Sequence, residues 1–364
     1  MSEHGRWVAH SDDERAAPHP GDGPAASPHP GGGRAAAPYA VEQVWPPWSE
    51  QLAAGWGRDF HDQLLGDELR MRAYRLAIRE AVRPGDVVVA LGTGTGVLAR
   101  WALEAGAARV YGIERDPDLL ARAAEAAATA GLADRFVPVP GLSFEVALPE
   151  RADVIVSEIL GNLVDNEDCC RILDDAVRRF LAPGGRLLPR RAERYLVPVE
   201  ACEAHAQVAA STPAAGRTNP FDAYYDVILP RRGYLASPRL DRAFGFVGDP
   251  ATYRSELVFA VDRPGTFTGF KGWFVADLSR TVVLDIAGDR IDGGRPGRTS
   301  SDSWKHAYLP VEHPVAVEPH DRITLSLSRS APEGDGAPAS ARSYRWVGTV
   351  RRGDDVVARF GHHT

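Results

Sequence analysis

At 364 residues, with a formal charge of −7 and a pI near 5.9, the chain is long enough for two compact domains and too acidic for a general nucleic-acid binder, while remaining compatible with cationic partners. Its three cysteines, Cys169, Cys170 and Cys202, show neither metal spacing nor a disulfide framework, as expected of a reducing compartment. No segment reaches the roughly 18 apolar residues of a membrane span and the polar N-terminus lacks a signal-peptide core, so the sequence predicts a cytoplasmic protein with no membrane partner.

Residues 1 to 38 are rich in Pro, Gly, Ala and His and are expected to be a disordered tail. From about 39 to 86 the chain is expected to be helical. Met71, Tyr74, Ile78 and Val82 recur at three- and four-residue steps as a core stripe, which leaves Arg70 to face elsewhere. VVVALGTGTGVLARWALEAGA (87 to 107) reads as a buried strand, a glycine-rich turn and a helix. Gly92, Gly94 and Gly96 let the backbone approach a ligand at the helix N-terminus. A dinucleotide fingerprint asks for a third small residue where this chain has Val97, so the loop disfavours NAD and suits S-adenosylmethionine.

The next strand, RVYGIE, ends at Glu114, roughly 20 residues past the glycines, where an acid accepts hydrogen bonds from ribose hydroxyls. Asp116 supplies the following N-cap, Pro117 the first helical position, Leu119, Leu120, Ala123, Ala124 and Ala127 the buried stripe, and Gly131 the stop. Glu114 is thereby left free for a ligand. Val154, Ile155 and Val156 read as another buried strand, and SEILGNLVDNE (157 to 167) sets Glu158 and Glu167 nine apart at its carboxyl end, where open α/β sheets carry their sites. Two carboxylates converging on one pocket repel unless a cation lies between them, so this loop is built to receive a cation. LAPGGRLLP (181 to 189) reads as a helix end, a turn and a strand, and closes a nucleotide-binding domain over 87 to 190. From 191 to 364 the pattern changes to period-two alternation, as in ELVFAVDRPGTFTGFKGWFVADL and RITLSLSR, which predicts a β-rich second domain with an irregular stretch from about 203 to 245.

In this order the segments resemble those of the protein arginine methyltransferases, from about 61 to 364. HDQLLGDELRMRAYR (61 to 75) is similar to the family's N-terminal helix, GTGTG and Glu114 to its cofactor loop and ribose acid, SEILGNLVDNE to its double-glutamate loop, and SDSWKH (301 to 306) to its Thr-His-Trp loop. The resemblance implies an α/β fold: a class I methyltransferase Rossmann-like sheet followed by a β-barrel-like domain. It implies S-adenosylmethionine as cofactor, with Arg70 holding its carboxylate, His61 a further cofactor contact or else a helix-start residue, Glu114 on the ribose, and Leu142 to Glu145 bordering the adenine. Glu158 and Glu167 become the clamp for a guanidinium substrate, arginine in a protein, peptide or free form, with Trp304 closing the site. The stretch 203 to 245 matches a dimerisation arm, which implies a homodimer.

The chain also departs from the family pattern. Ala90 stands where the strand before the glycines usually carries an acid, Ser303 replaces the loop histidine, and Asn162 replaces an aromatic. The aromatic segment expected before His61 is not recognisable, though Trp45, Trp48, Trp56 and Phe60 offer aromatic cover. Two other functions remain open at this stage: methylation of free arginine or a guanidino metabolite, and a non-catalytic binding or regulatory role.

Overall fold

Pro46 and Pro47 bar a helix from passing through their segment and push the residue before them to extended backbone. In the computed structural model, which describes residues 7–8, 42–45, 64–213, 218–287, 301, 303–330 and 343–364, the chain accordingly reaches them as a strand. Strands β1 (Trp7–Val8) and β2 (Gln43–Trp45) lie at the two ends of a sheet in the second domain. Both differ from expectation, which gave a disordered tail over 1 to 38 and helices over 39 to 86. Helix α1 (Glu68–Ala81) starts at Asp67, whose side chain accepts a hydrogen bond from the Arg70 amide at 3.0 Å. Its buried residues are Arg70, Ala73, Tyr74, Ala77 and Ile78. Arg70 precedes Tyr74 by four residues and therefore falls on the buried stripe, not away from it. Met71 sits only at the margin of the core.

The nucleotide-binding domain follows as β3 (Val87–Leu91), α2 (Val97–Glu104), β4 (Arg109–Glu114), α3 (Pro117–Thr129), β5 (Phe136–Pro140), β6 (Ala152–Ser157), α4 (Cys169–Phe180) and β7 (Leu181–Leu188). The five strands pair in parallel in the order β5-β4-β3-β6-β7. Val88 to Leu91 and Val154 to Val156 are all buried, as central strands covered on both faces require. Asp116 caps α3 with bonds to the Asp118 and Leu119 amides, and Gly131 stands just past its end at φ 69°. Pro183, Gly184 and Gly185 do not form a separate turn. They are absorbed as an irregularity within the edge strand β7, the place in a sheet that tolerates proline.

The second domain contains β8 (Arg191–Val199), α5 (Cys202–Ala210), β9 (Tyr225–Ile228), β10 (Arg239–Phe244), β11 (Tyr253–Ala260), β12 (Gly265–Asp277), β13 (Val282–Asp285), β14 (His306–Val317), β15 (Arg322–Ser330), β16 (Ser343–Arg352) and β17 (Asp355–His363). Together with β1 and β2 these strands form an eight-stranded and a four-stranded sheet, the latter in the order β11-β15-β16-β17. Phe259, Phe267, Phe270, Leu325 and Trp346 fill the core of this domain. The stretch 203 to 245, expected to be irregular, is so over about half of its described residues, but it also carries most of α5 and the short strands β9 and β10, paired to β14 and β8. The double-glutamate loop touches both domains, with Leu160 and Val164 in a core cluster that runs from the parallel sheet into the second domain and Leu163 in the second domain's own core.

Candidate active site

Strand register brings three loop entries to one level. Leu91 pairs with Ile113 on one side and Ser157 on the other, so Gly92, Glu114 and Glu158 leave three adjacent strands side by side. β3 is where the strand order reverses, and open α/β sheets bind ligands outside the carboxyl ends at that point. Gly92, Gly94 and Gly96 all take positive φ, at 64°, 52° and 83°. A Cβ on Gly96 would approach the Ala123 Cβ to 2.9 Å, so the turn and its contact with α3 both require glycine. Gly96 is also the N-cap of α2, whose first amides lack intrahelical partners.

Glu114 is braced instead of free. Its carboxylate accepts from the amides of Gly94 at 3.0 Å, Arg115 at 2.9 Å and Asp116 at 3.1 Å. A carboxylate offers about four lone-pair sites, so one remains for a ligand hydroxyl. Glu145 lies in the turn after β5, its side chain exposed and its amide donating to the Leu142 carbonyl at 2.9 Å. Arg179 of α4 fixes the same turn by donating to the carbonyls of Ser143, at 2.7 Å, and Val146.

Arg70 reaches this level from α1. Its guanidinium pairs with Glu158, donates to Ser303 Oγ at 3.3 Å and lies 4.4 Å from the centre of the Trp304 ring. Burial lowers its pKa to about 10, with Tyr74, Asp67 and Glu167 opposing that shift, so it is charged at neutral pH. Its Nε is buried without a protein partner among the described residues. Tyr74, one turn on, donates to the Ser157 carbonyl at 3.1 Å and ties the helix to the start of the double-glutamate loop.

Glu167 keeps a narrow contact with solvent, yet the protein around it pushes its carboxyl up to about 8. Burial is the main cause, the nearby Asp226 adds to it, and Arg70 opposes it. Sequence reasoning missed Asp226, which lies on β9 in the stretch expected to be irregular. Asn162, in place of an aromatic, donates to it at 2.7 Å. Asn166 in turn donates to Asn162 at 3.2 Å, so the pocket side of the loop is a chain of polar contacts.

The segment from Ser301 to Trp304 is anchored through Asp67. Its Oδ2 accepts from Ser301 Oγ, from the Ser303 amide at 3.0 Å and from Ser303 Oγ at 2.6 Å. Ser303, standing where a histidine was expected, thus links Asp67 to Arg70. Trp304 is a core residue that packs edge-on against Phe274 at 5.2 Å and donates from Nε1 to the Leu160 carbonyl at 2.8 Å. Ala90 is buried in the middle of β3 opposite Gly112 and brings no charge to the site. His61, Trp48, Trp56 and Phe60 lie outside the described residues, while Trp45 on β2 stands 4.5 Å from Lys305 Nζ.

The arrangement fits a cofactor carrying a carboxylate and a ribose: a glycine loop at a helix N-terminus, an acid beside it and a buried cation with an unused donor. Residues 88–185 match the family model described as a methyltransferase domain. The probable protein arginine N-methyltransferase 6 of Arabidopsis thaliana is 35% identical over 141 residues, 38% of this chain, so the match spans about a third (32%) of that relative's length. Protein arginine N-methyltransferase PRMT10 of Arabidopsis thaliana is 33% identical over 317 residues, covering 73% of this chain and 79% of the relative. Among solved structures, Arabidopsis thaliana protein arginine methyltransferase 10 superposes with a TM-score of 0.70 over 83% of this chain and 97% of that one, at 18% identity. The PRMT1 enzyme-prozyme heterotetramer of Trypanosoma brucei with AdoHcy gives 0.70 over the same shares at 17% identity.

Proposed function

The chain belongs to the protein arginine N-methyltransferase family, and we propose that it is an S-adenosylmethionine-dependent enzyme methylating the guanidinium of arginine in a protein or peptide. The observation that carries this reading is that Glu158 already grips a guanidinium, that of Arg70, beneath Trp304 and in the field of Glu167. A guanidinium is planar, stays charged and presents a fork of donors that matches carboxylates. S-adenosylmethionine supplies, when bound, an electrophilic methyl group on a positively charged sulfur. Arg70 holds its carboxylate, the first amides of α2 and the glycine turn line its path, Glu114 takes the ribose, and the turn carrying Glu145 borders the adenine.

Two cations brought together in a dry site repel, and Glu158 and Glu167 offset that repulsion while fixing which substrate nitrogen faces the methyl group. Alignment then supplies much of the acceleration, since well-oriented groups reach effective molarities on the order of 10⁵ to 10⁸ M. The substrate nitrogen becomes acidic as its new bond forms, so a carboxylate suffices to accept the proton, and Glu167, once ionised, is a stronger base than an ordinary carboxylate because its pKa is raised.

The Asn162–Asp226 contact favours a second reading, in which the extra acid beside Glu167 receives a small dicationic or zwitterionic guanidine such as free arginine. Mass spectrometry after incubation with cofactor and either an arginine-rich peptide or free arginine separates the two. Methyl transfer to the peptide is expected, transfer to free arginine alone would replace the protein substrate, and transfer to neither would discard both. We further place the protein in the cytoplasm, where its free cysteines would stay reduced, and as a homodimer, for which light scattering should give about twice the 39.3 kDa chain mass. A species of single chain mass would remove the dimer.

A further inference from the structure

Two residues before Glu167 the loop carries Asp165, a fully buried acid with no part in the transfer chemistry. Four strands of the second domain converge on it. Arg194 of β8 lies 3.2 Å from its carboxylate, Tyr253 of β11 and Tyr344 of β16 each donate to it at 2.7 Å, and Arg329 of β15 lies 3.3 Å away. Arg329 also donates to the Asp165 carbonyl at 2.8 Å, and Arg194 to the Leu163 carbonyl at 3.4 Å, so the contacts fix the backbone as well as the side chain. Asp241 pairs with Arg194, while Asp168 pairs with Arg329 and Arg171, so the cluster balances three positive groups against three negative ones.

The backbone on either side needs such a hold. Val164 has φ 72° and Asp168 φ 62°, left-handed conformations that are costly for a non-glycine residue, above all a β-branched one. Strain of this kind persists only where the surroundings over-determine it. Glu167 lies between these two points. A short segment pinned by a buried ionic cluster on one side and by helix α4 on the other has little freedom to move its carboxylate.

We propose that Asp165 is a positioning residue through which the second domain sets the place of Glu167 in the substrate clamp. The inference rests on the clamp role of Glu167 proposed above. The groups facing Glu167 are Arg70 from α1, Asp226 from β9 and Cys169 from α4. Any displacement of Glu167 alters its distance from each of them and so alters its titration.

The test follows the Glu167 carboxyl by carbon-13 NMR against pH, its signal assigned by loss in Glu167→Gln, in wild type, Asp165→Asn and Tyr344→Phe, each with S-adenosylhomocysteine affinity measured by calorimetry. Asp165→Asn is expected to keep cofactor affinity within about three-fold yet move the midpoint by about half a pH unit or more. With an arginine-rich peptide its kcat should fall roughly 10- to 100-fold, as expected for a misplaced reacting group. If Asp165→Asn binds no cofactor because it fails to fold, Tyr344→Phe decides, with a smaller kcat loss of about three-fold and a midpoint displaced from that of wild type. A folded variant whose midpoint and kcat both match wild type would overturn the assignment. Absence of methyl transfer by the wild type would sink the enzymatic reading alone, because the titration is read without turnover.

Discussion

Glu167 sits between a cation, Arg70, and an acid, Asp226, and burial decides the outcome by lifting its carboxyl to about 8. Below that value the group is a neutral acid and cannot balance a guanidinium; above it the carboxylate is restored. In the free enzyme kcat/KM should therefore rise with pH through about 8 and level off above it, since this ratio reports ionisations of the free enzyme. A profile already flat between about pH 6 and 9 would show that another group limits the reaction. Glu158 differs because its partner, Arg70, is already in place. Glu158→Gln should abolish turnover while S-adenosylhomocysteine binds no more weakly than to wild type, because the variant stops competing for Arg70. Cofactor binding weakened about ten-fold, roughly 1.4 kcal/mol, would mean instead that Glu158 holds Arg70 ready for the cofactor. That Glu114 and Glu158 leave adjacent strands at one level was legible from local motif and spacing, whereas Arg70 was expected to face away from the buried stripe and lies on it. Asp226, Ser303 and Asp165 were not legible, since nothing near them in the chain announces which distant residues they meet.

Helix ends are local chemistry, and the sequence marks them plainly: Asp116, Pro117 and Gly131 bracket α3 where expected. Asp67 is a stronger case, capping α1 through one oxygen and fastening Ser301 and Ser303 through the other. Asp67→Ala removes a cap and leaves buried hydroxyls without their acceptor, so it should cost roughly 2 to 4 kcal/mol of stability, read from the denaturant midpoint, and weaken cofactor binding because Arg70 loses its neighbours. A midpoint equal to wild type would show that the Ser301 to Trp304 segment does not depend on the helix. Short strands were harder to read. β2, β9 and β10 have few residues each and exist through pairing with distant parts of the chain, β2 with β9, β9 with β14 and β10 with β8. Arg194 and Arg329 were hidden for the same reason: in an alternating strand a charged residue is expected to face water, and only the assembled molecule reveals acids beneath both.

At the scale of the whole molecule, the double-glutamate loop joins the two domains, so the site depends on their docking more than on either terminus. Among the described residues, the N-terminal segment meets this arrangement through β1, which pairs Trp7 and Val8 with Val282 and Val283 of β13. β13 is not held by that pairing alone. It pairs antiparallel with β12, and the turn before it is fastened to α1 by Ser279 and Thr281, which donate to Glu80. An edge strand of two residues adds little to a sheet secured in this way, and none of the proposed site residues lies within 1 to 38. Deleting residues 1 to 38 should therefore lower stability by about 1 kcal/mol or less and leave cofactor affinity within about three-fold of wild type. Methylation of an external arginine-rich peptide should continue at nearly the full rate. Loss of that activity with cofactor binding intact would place part of the substrate site in the tail, whereas loss of both would show that β1 supports α1, and with it Arg70, through β13.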